Sequence, residues 1–221
     1  MICITGDLHA DLTRFKHKNI RKLKKNDYLI ICGDFGCIWD GSKKEKHLLK
    51  KLGKLKYHVL FVEGCHENYD LLEQYPQTDW NGGKVRVISG RLMQLCRGSV
   101  YTLGDRKIFA FGGGQSDDID IRRNAGTWWE AESPSPEDFR LTEQSLSKCG
   151  YVVDYILTHE PPFTIKEFLR KEAAEKTELN AFFDRVKDTS RFKRWFFGKY
   201  HINKLLSSQY QAVFDDVVVI D

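Results

Sequence analysis

The chain has 221 residues, 41% of them apolar, and a formal net charge of +4 with a pI near 8.6. That composition fits a packed globular core, and no apolar run approaches the ~20 residues needed to cross a bilayer. The basic excess is mild and lies in two Lys-rich stretches, residues 16–25 and 43–56, which read as solvated helix faces, with a phosphate-backbone contact as the alternative.

The N-terminus lacks the basic-then-apolar layout of a secretory signal, and residues 1–5 enter a strand at once. The polar loop Gly6, Asp7, Leu8, His9 follows. Residues 11–24 place Leu12, Phe15 and Leu23 at roughly helical spacing, which predicts a helix. Tyr28–Cys32 is a continuous apolar run, hence a fully buried strand, and it ends at Gly33 and Asp34. Residues 43–55 carry Leu48, Leu52 and Leu55 on one face, a second amphipathic helix. His58–Val62 is a third buried run and ends at Gly64, Cys65, His66 and Glu67. A β-α-β-α-β layout of this kind predicts a parallel sheet covered by helices, with ligands beyond the carboxyl ends of its strands.

The second half changes character. Residues 85–89, 99–103 and 107–111 are short strands with Gly-containing turns between them, which predicts a second, largely antiparallel sheet. Residues 115–135 are polar and irregular and include Trp128 and Trp129. Pro136 behind Ser135 opens a helix, because Pro suits a first turn. Residues 151–157 form another buried strand, ending in Thr158, His159 and Glu160. A helical stretch over 164–187 with a break near Thr177 comes next, then a strand at 194–197 ending in Gly198, Lys199, Tyr200 and His201. Residues 212–214 and 217–220 close the chain as strands. No repeat or linker interrupts it, so one domain over 1–221 is expected. Six cysteines occur without a CxxC pair, which argues against a zinc ribbon or thioredoxin-type site. Cys3 and Cys32 lie in buried strands as reduced thiols, so a reducing compartment, the cytoplasm, is expected.

One pattern recurs five times: an apolar strand ends and Asp or His follows, usually beside Gly. Asp and His suit Mn, Fe, Zn and similar divalent ions, and glycine lets the backbone turn sharply enough for side chains to converge. Asp7 and His9 alternate by two and can address one site. Asp34 can bridge two ions; His159 and His201 arrive from later strands. Two ions ~3.5–4 Å apart clamp a phosphate and lower the pKa of a bound water.

The ordered set Asp7-x-His9, Gly33-Asp34, Gly64-x-His66-Glu67, His159 and Gly198-x-x-His201 resembles the motifs of the calcineurin-like metallophosphoesterases. Residues 64–70, Trp128-Trp129, 155–162 and 195–198 look like a bacterial and phage branch. The resemblance spans nearly the whole chain. It implies a four-layer α/β/β/α sandwich of two mixed sheets flanked by helices. It implies a first metal held by Asp7, His9, Asp34 and His201, with Asp34 bridging to a second held also by His159. By the same resemblance, His66 is expected to protonate the leaving oxygen, with Glu67 orienting it.

Two positions depart from the family pattern, both at the second metal: Cys65 stands where the family has Asn, and Lys199 where it has His. Cys65 as a thiolate would favour Zn²⁺ or Fe²⁺. A protonated Lys199 cannot ligate, repels a second cation, and can contact a substrate phosphate as a point charge. The working expectation is therefore a hydrolase of phosphate mono- or diesters with one or two divalent ions and a weakened second site. The alternative is a weak or inactive relative that binds a nucleotide or phosphoprotein. The substrate is a phosphate ester on protein, nucleotide or nucleic acid; no membrane and no obligate protein partner is inferred.

Other features have open readings. Trp128 and Trp129 are either a plug over the sheet or a wall on which a nucleobase stacks. Arg122 and Arg123 read as surface charge, with an anion contact as the alternative. Gly112, Gly113 and Gly114 read as a turn rather than a phosphate cradle. His17, His47 and His58 have no assigned chemistry.

Overall fold

The computed structural model describes residues 1–169 and 175–220. The strands are β1 Ile2–Gly6, β2 Tyr28–Cys32, β3 His58–Val62, β4 Gln77–Trp80, β5 Gly83–Ser89, β6 Leu92–Leu95, β7 Ser99–Leu103, β8 Arg106–Phe111, β9 Tyr155–Thr158, β10 Arg194–Phe197, β11 Lys204–Leu205, β12 Tyr210–Ala212 and β13 Val218–Ile220. The α-helices are α1 Lys18–Lys22, α2 Lys43–Gly53, α3 Tyr69–Leu72, α4 Ile119–Asn124, α5 Pro136–Lys148, α6 Phe163–Leu169 and α7 Glu178–Thr189.

The strands form two mixed sheets, ordered β13-β1-β2-β3-β6-β5-β4 and β11-β12-β10-β9-β8-β7. Their facing surfaces share one apolar core: Ile4, Ile30 and Leu60 from the first sheet meet Ile108, Leu157 and Phe196 from the second. Outside the first sheet, Ile20, Leu49 and Leu52 of α1 and α2 pack on Ile31 and Phe61. Outside the second, Leu146 of α5 and Phe182, Phe183 and Val186 of α7 pack on Phe111, Ile156 and Trp195. Four layers result, as the family resemblance implies. Strands with helices beyond one face and a second sheet beyond the other are buried on both, hence their continuous apolar runs.

Several elements differ from the sequence-based expectations. Residues 11–24 do not form one helix: a 3-10 turn over Leu12–Lys16 and α1 are separated at His17, whose ψ of 139° is extended. Asp11 caps the first piece by accepting from the Thr13 amide, and the His17 ring caps the second by accepting from the Asn19 amide. These local side-chain bonds compete with a continuous helix. Residues 85–89 belong to the first sheet, because β5 pairs antiparallel with β6 and β6 lies parallel to β3. The centre of the second sheet is parallel, since β8, β9, β10 and β12 all run the same way and α5 to α7 supply the crossovers. The strand expected at 151–157 begins only at Tyr155. The segment 115–135 is not wholly irregular and contains α4. The helical span expected over 164–187 crosses residues 170–174, which lie outside the described residues; its break falls at Thr177, which caps α7 by accepting from the Asn180 amide.

Helix starts follow their caps. Ser135 and Asp138 form a reciprocal capping box with Pro136 in the first turn of α5, and Ser42 accepts from the Glu45 amide at the start of α2. Replacing Ser42 with Ala should lower stability by about 1 kcal/mol. A denaturation midpoint unchanged by that substitution would sink this assignment of the cap.

Candidate metal centre

Asp7 follows β1, Asp34 follows β2, Cys65 to Glu67 follow β3, His159 follows β9, and Lys199 and His201 follow β10. The loops turn tightly enough that Asp7, His9, Asp34, Lys199 and His201 all adopt positive φ, between 21° and 73°. Such backbone is costly for residues with a Cβ and persists where surrounding structure enforces it, commonly at functional sites. Two glycines make the convergence possible. A Cβ on Gly33 would lie 2.0 Å from His159 Nδ1, and one on Gly64 would lie 2.0 Å from Asp34 Oδ1.

One donor atom from each of Asp7, His9, Asp34 and His201 lies within 4.8 Å of the others. The Nε2 atoms of His9 and His201 face each other at 3.0 Å. Asp34 is the hub. Its Oδ2 is 2.9 Å from His66 Nδ1 and 3.7 Å from His9 Nε2, its Oδ1 is 3.6 Å from His159 Nε2, and the His66 amide donates to Oδ1 at 2.8 Å. His159 Nδ1 is 3.4 Å from Asp7 Oδ1.

The electrostatics are those of a site short of positive charge. Burial, and then the Asp34 charge, pushes the Asp7 carboxyl well above its usual range. Burial also opposes the Asp34 charge, but His159 and His66 outweigh it and hold that carboxyl below the usual range. Burial lowers the pKa of both His9 and His159, in the direction that frees a ring lone pair. Asp7 Oδ2 and His159 Nε2 are buried with no hydrogen-bond partner. Orphaned buried polar atoms are rare in folded proteins. Two of them beside a carboxylate–imidazole cluster fit a divalent cation, and a bound cation would reverse the penalty on Asp7.

Lys199 reaches into the same place. Its Nζ donates to Gln115 O at 2.7 Å, contacts Cys65 Sγ at 3.1 Å and lies 3.7 Å from Glu160 Oε1, while its amide donates to Asp7 Oδ1 at 3.1 Å. Burial works against the Lys199 ammonium, but its contact with the Cys65 sulfur and the nearby Glu160 carboxylate overcome it and raise its pKa. Burial pushes the Cys65 thiol well up, against the pull of Lys199. We assign a thiol facing an ammonium, because Glu160 supplies the compensating charge. The chain's own cation therefore sits against Cys65, on the His159 side of the cluster.

Glu67 is buried beside the Asp34 turn. Its carboxylate accepts from the amides of Phe35 at 2.6 Å and Gly36 at 3.3 Å, so it braces the Asp34 turn, while Asp34 itself meets the His66 ring. Burial, then the Asp34 charge, lifts Glu67 to about 8. The sign follows. Unfolded, Glu67 titrates near 4.3; folded, it keeps its proton to about 8, so stability is full at low pH and falls as pH rises between those values. The lowered His9 and His159 act in the opposite sense, but only below about 6.5. From pH 6.5 to 8, metal-free protein should lose about 2 kcal/mol through Glu67, at up to 1.36 kcal/mol per pH unit. Chemical denaturation of chelated protein tests this: Glu67→Gln should remove that part of the slope, and an identical slope in both proteins would refute it.

Several supporting residues carried no sequence signal. Arg122 is not surface charge: it is 5% exposed, donates to Cys65 O at 2.9 Å and Thr127 O at 2.6 Å, and pairs with Glu132 and Ser116. Glu160 Oε2 accepts from Asn180, whose Oδ1 accepts from Lys166, all three buried. Phe214 stacks on His201 at 4.7 Å and Arg14 lies over Phe214. Only Glu160, adjacent to His159, was in view of a motif. Gly113 and Gly114 donate their amides to Glu63 O and Glu132 O and have none left for a phosphate.

A family model described as calcineurin-like phosphoesterase matches residues 1–206. A search of curated proteins finds no match.

Proposed function

The chain belongs to the calcineurin-like phosphoesterase family, and on that premise we propose that it hydrolyses phosphate mono- or diesters at a centre holding one tightly bound divalent ion. Asp7, His9, Asp34 and His201 would hold that ion; the four donor atoms lying within 4.8 Å of one another carry this reading. A divalent ion of the Mn, Fe or Zn kind supplies Lewis acidity toward a phosphoryl oxygen and lowers the pKa of a water. His66, with its ring 43% exposed and Nδ1 fixed on Asp34, presents Nε2 to the leaving oxygen as general acid. Glu67 acts through the turn it braces and is a positioning residue. Lys199 stands beside Cys65, where it would repel a second ion, and offers one fixed charge to a substrate phosphate.

We read the whole chain, 1–221, as one such domain. Among the described residues no helix is long and apolar enough to cross a membrane. All six cysteines are free, which favours a reducing compartment, the cytoplasm.

The experiment is an assay of an aryl phosphate and an aryl phosphodiester with Mn²⁺, Fe²⁺ or Zn²⁺ added. His66→Ala should lower kcat by about 10²- to 10⁴-fold, the range for a positioned acid, with metal content unchanged. The Lys199 ammonium held beside Cys65 favours one second reading, a relative that binds phosphate esters without turning them over. No hydrolysis with any of the three ions, alongside measurable phosphate-ester binding, would decide for it.

A further inference from the structure

Trp39 is a large apolar ring left 39% exposed on a rigid turn. Its backbone is held at both ends. The Glu45 carboxylate accepts from the amides of Trp39 at 2.6 Å, Asp40 at 2.8 Å and Gly41 at 3.2 Å. The Asn68 amide donates to Trp39 O at 2.7 Å. Trp129 meets it edge to face, with ring centroids 6.0 Å apart. Neither ring belongs to any of the three core clusters among the described residues, so the pair is not a plug over a sheet.

The two rings come from the two segments that flank the His66 loop. Trp39 ends the turn that begins at Asp34, and its carbonyl is anchored to Asn68, two residues past His66. Trp129 follows Thr127, which Arg122 ties down while also holding Cys65 O. The pair is therefore tied through hydrogen bonds to both ends of the loop that carries His66, the residue that would meet a departing oxygen. An aryl ring bonded directly to that oxygen would rest against His66. A nucleobase, carried beyond the sugar of an ester, offers a flat ring further from that oxygen, of the kind an aromatic pair receives.

We propose that Trp39 and Trp129 form a stacking subsite for the base of a nucleotide-type phosphate ester. This rests on the phosphoesterase reading for its location and names the substrate class of the same site. Base–aromatic stacking is sequence-tolerant and strong enough to set affinity. The source of the base, a free nucleotide or the end of a single strand, shares this chemistry.

The test separates binding from turnover. In His66→Ala protein loaded with Mn²⁺, so that ligands persist, calorimetry compares AMP with ribose 5-phosphate, which has the same phosphate and sugar but no base. AMP should bind at least about tenfold tighter, the weaker part of the stacking range. Adding Trp39→Ala or Trp129→Ala should bring that ratio close to one, while Trp39→Phe, which keeps a stacking face, should retain most of it. A 5′-phosphorylated oligothymidylate binding tighter than TMP assigns the strand; equal binding assigns the free nucleotide. A ratio near one before either Trp is changed, a ratio untouched by both changes, or no binding of either ligand overturns the proposal. Hydrolysis of p-nitrophenyl phosphate by the otherwise unaltered protein is measured beside it. Hydrolysis with a ratio near one sinks the subsite alone, whereas a retained ratio without hydrolysis sinks the catalytic reading alone.

Discussion

Asp34→Asn is expected to cut metal-dependent hydrolysis of an aryl phosphate by about 10⁴-fold, at or beyond the upper end of the range expected for losing an acid alone. The substitution keeps size and one acceptor oxygen but removes the charge on which the cluster is organised. Asp34 meets His66 through both its ring and its backbone amide, and it lies within 3.7 Å of the His9 and His159 rings. A neutral amide weakens the cation site and also loses the charged partner that fixes the His66 ring, so two effects fall together. Supporting groups of metal ligands alone are worth about 10- to 100-fold. Metal content and turnover should both fall, while circular dichroism should stay native because β2 and its neighbours are untouched. Activity within tenfold of the unaltered protein would remove Asp34 from the centre of the mechanism.

The paired change Lys199→His with Cys65→Asn should raise bound metal from about one ion per chain to about two, measured by elemental analysis after equilibration in Mn²⁺. Two unit positive charges ~4 Å apart at an effective dielectric near 20 oppose each other by ~4 kcal/mol, about 10³-fold in affinity. The Lys199 ammonium, held on Gln115 O and beside Cys65 and Glu160, would oppose an ion arriving beside Cys65 by a repulsion of this order. Histidine removes the charge and adds a lone pair; asparagine adds an oxygen ligand. Turnover should rise with occupancy. Lys199→Met, which removes charge without adding a ligand, should fall between the two in metal content. Two fully occupied ions in the unaltered protein, or no gain from the pair, would show that Lys199 does not occupy the place of a cation.

The strands that carry the centre were legible because each is an apolar run cut short by Gly with Asp or His. β1, β2 and β3 fall within a residue of expectation, since burial on both faces erases alternation and leaves a run. Sheet membership was less legible. Residues 85–89 alternate along one strand as they would in either sheet, and only the parallel pairing of β6 with β3 assigns them. The break at His17 was missed for the same kind of reason: apolar spacing reports a helical face and is blind to a side chain that caps from within.

The sequence by itself determined which chemistry-bearing residues follow strand ends, Cys65 and Lys199 among them, and the parallel layout that sends those ends toward one edge. These are local facts, carried by residue type and period. Tertiary structure decided what those residues meet. It set Glu67 on the Phe35 and Gly36 amides, buried Arg122 under the Cys65 loop, and gave Lys199 the Glu160 counter-ion that steadies its ammonium. Each of these depends on groups far apart in the chain. Burial and charge pairing are properties of the assembled surroundings, and no spacing along one segment encodes them.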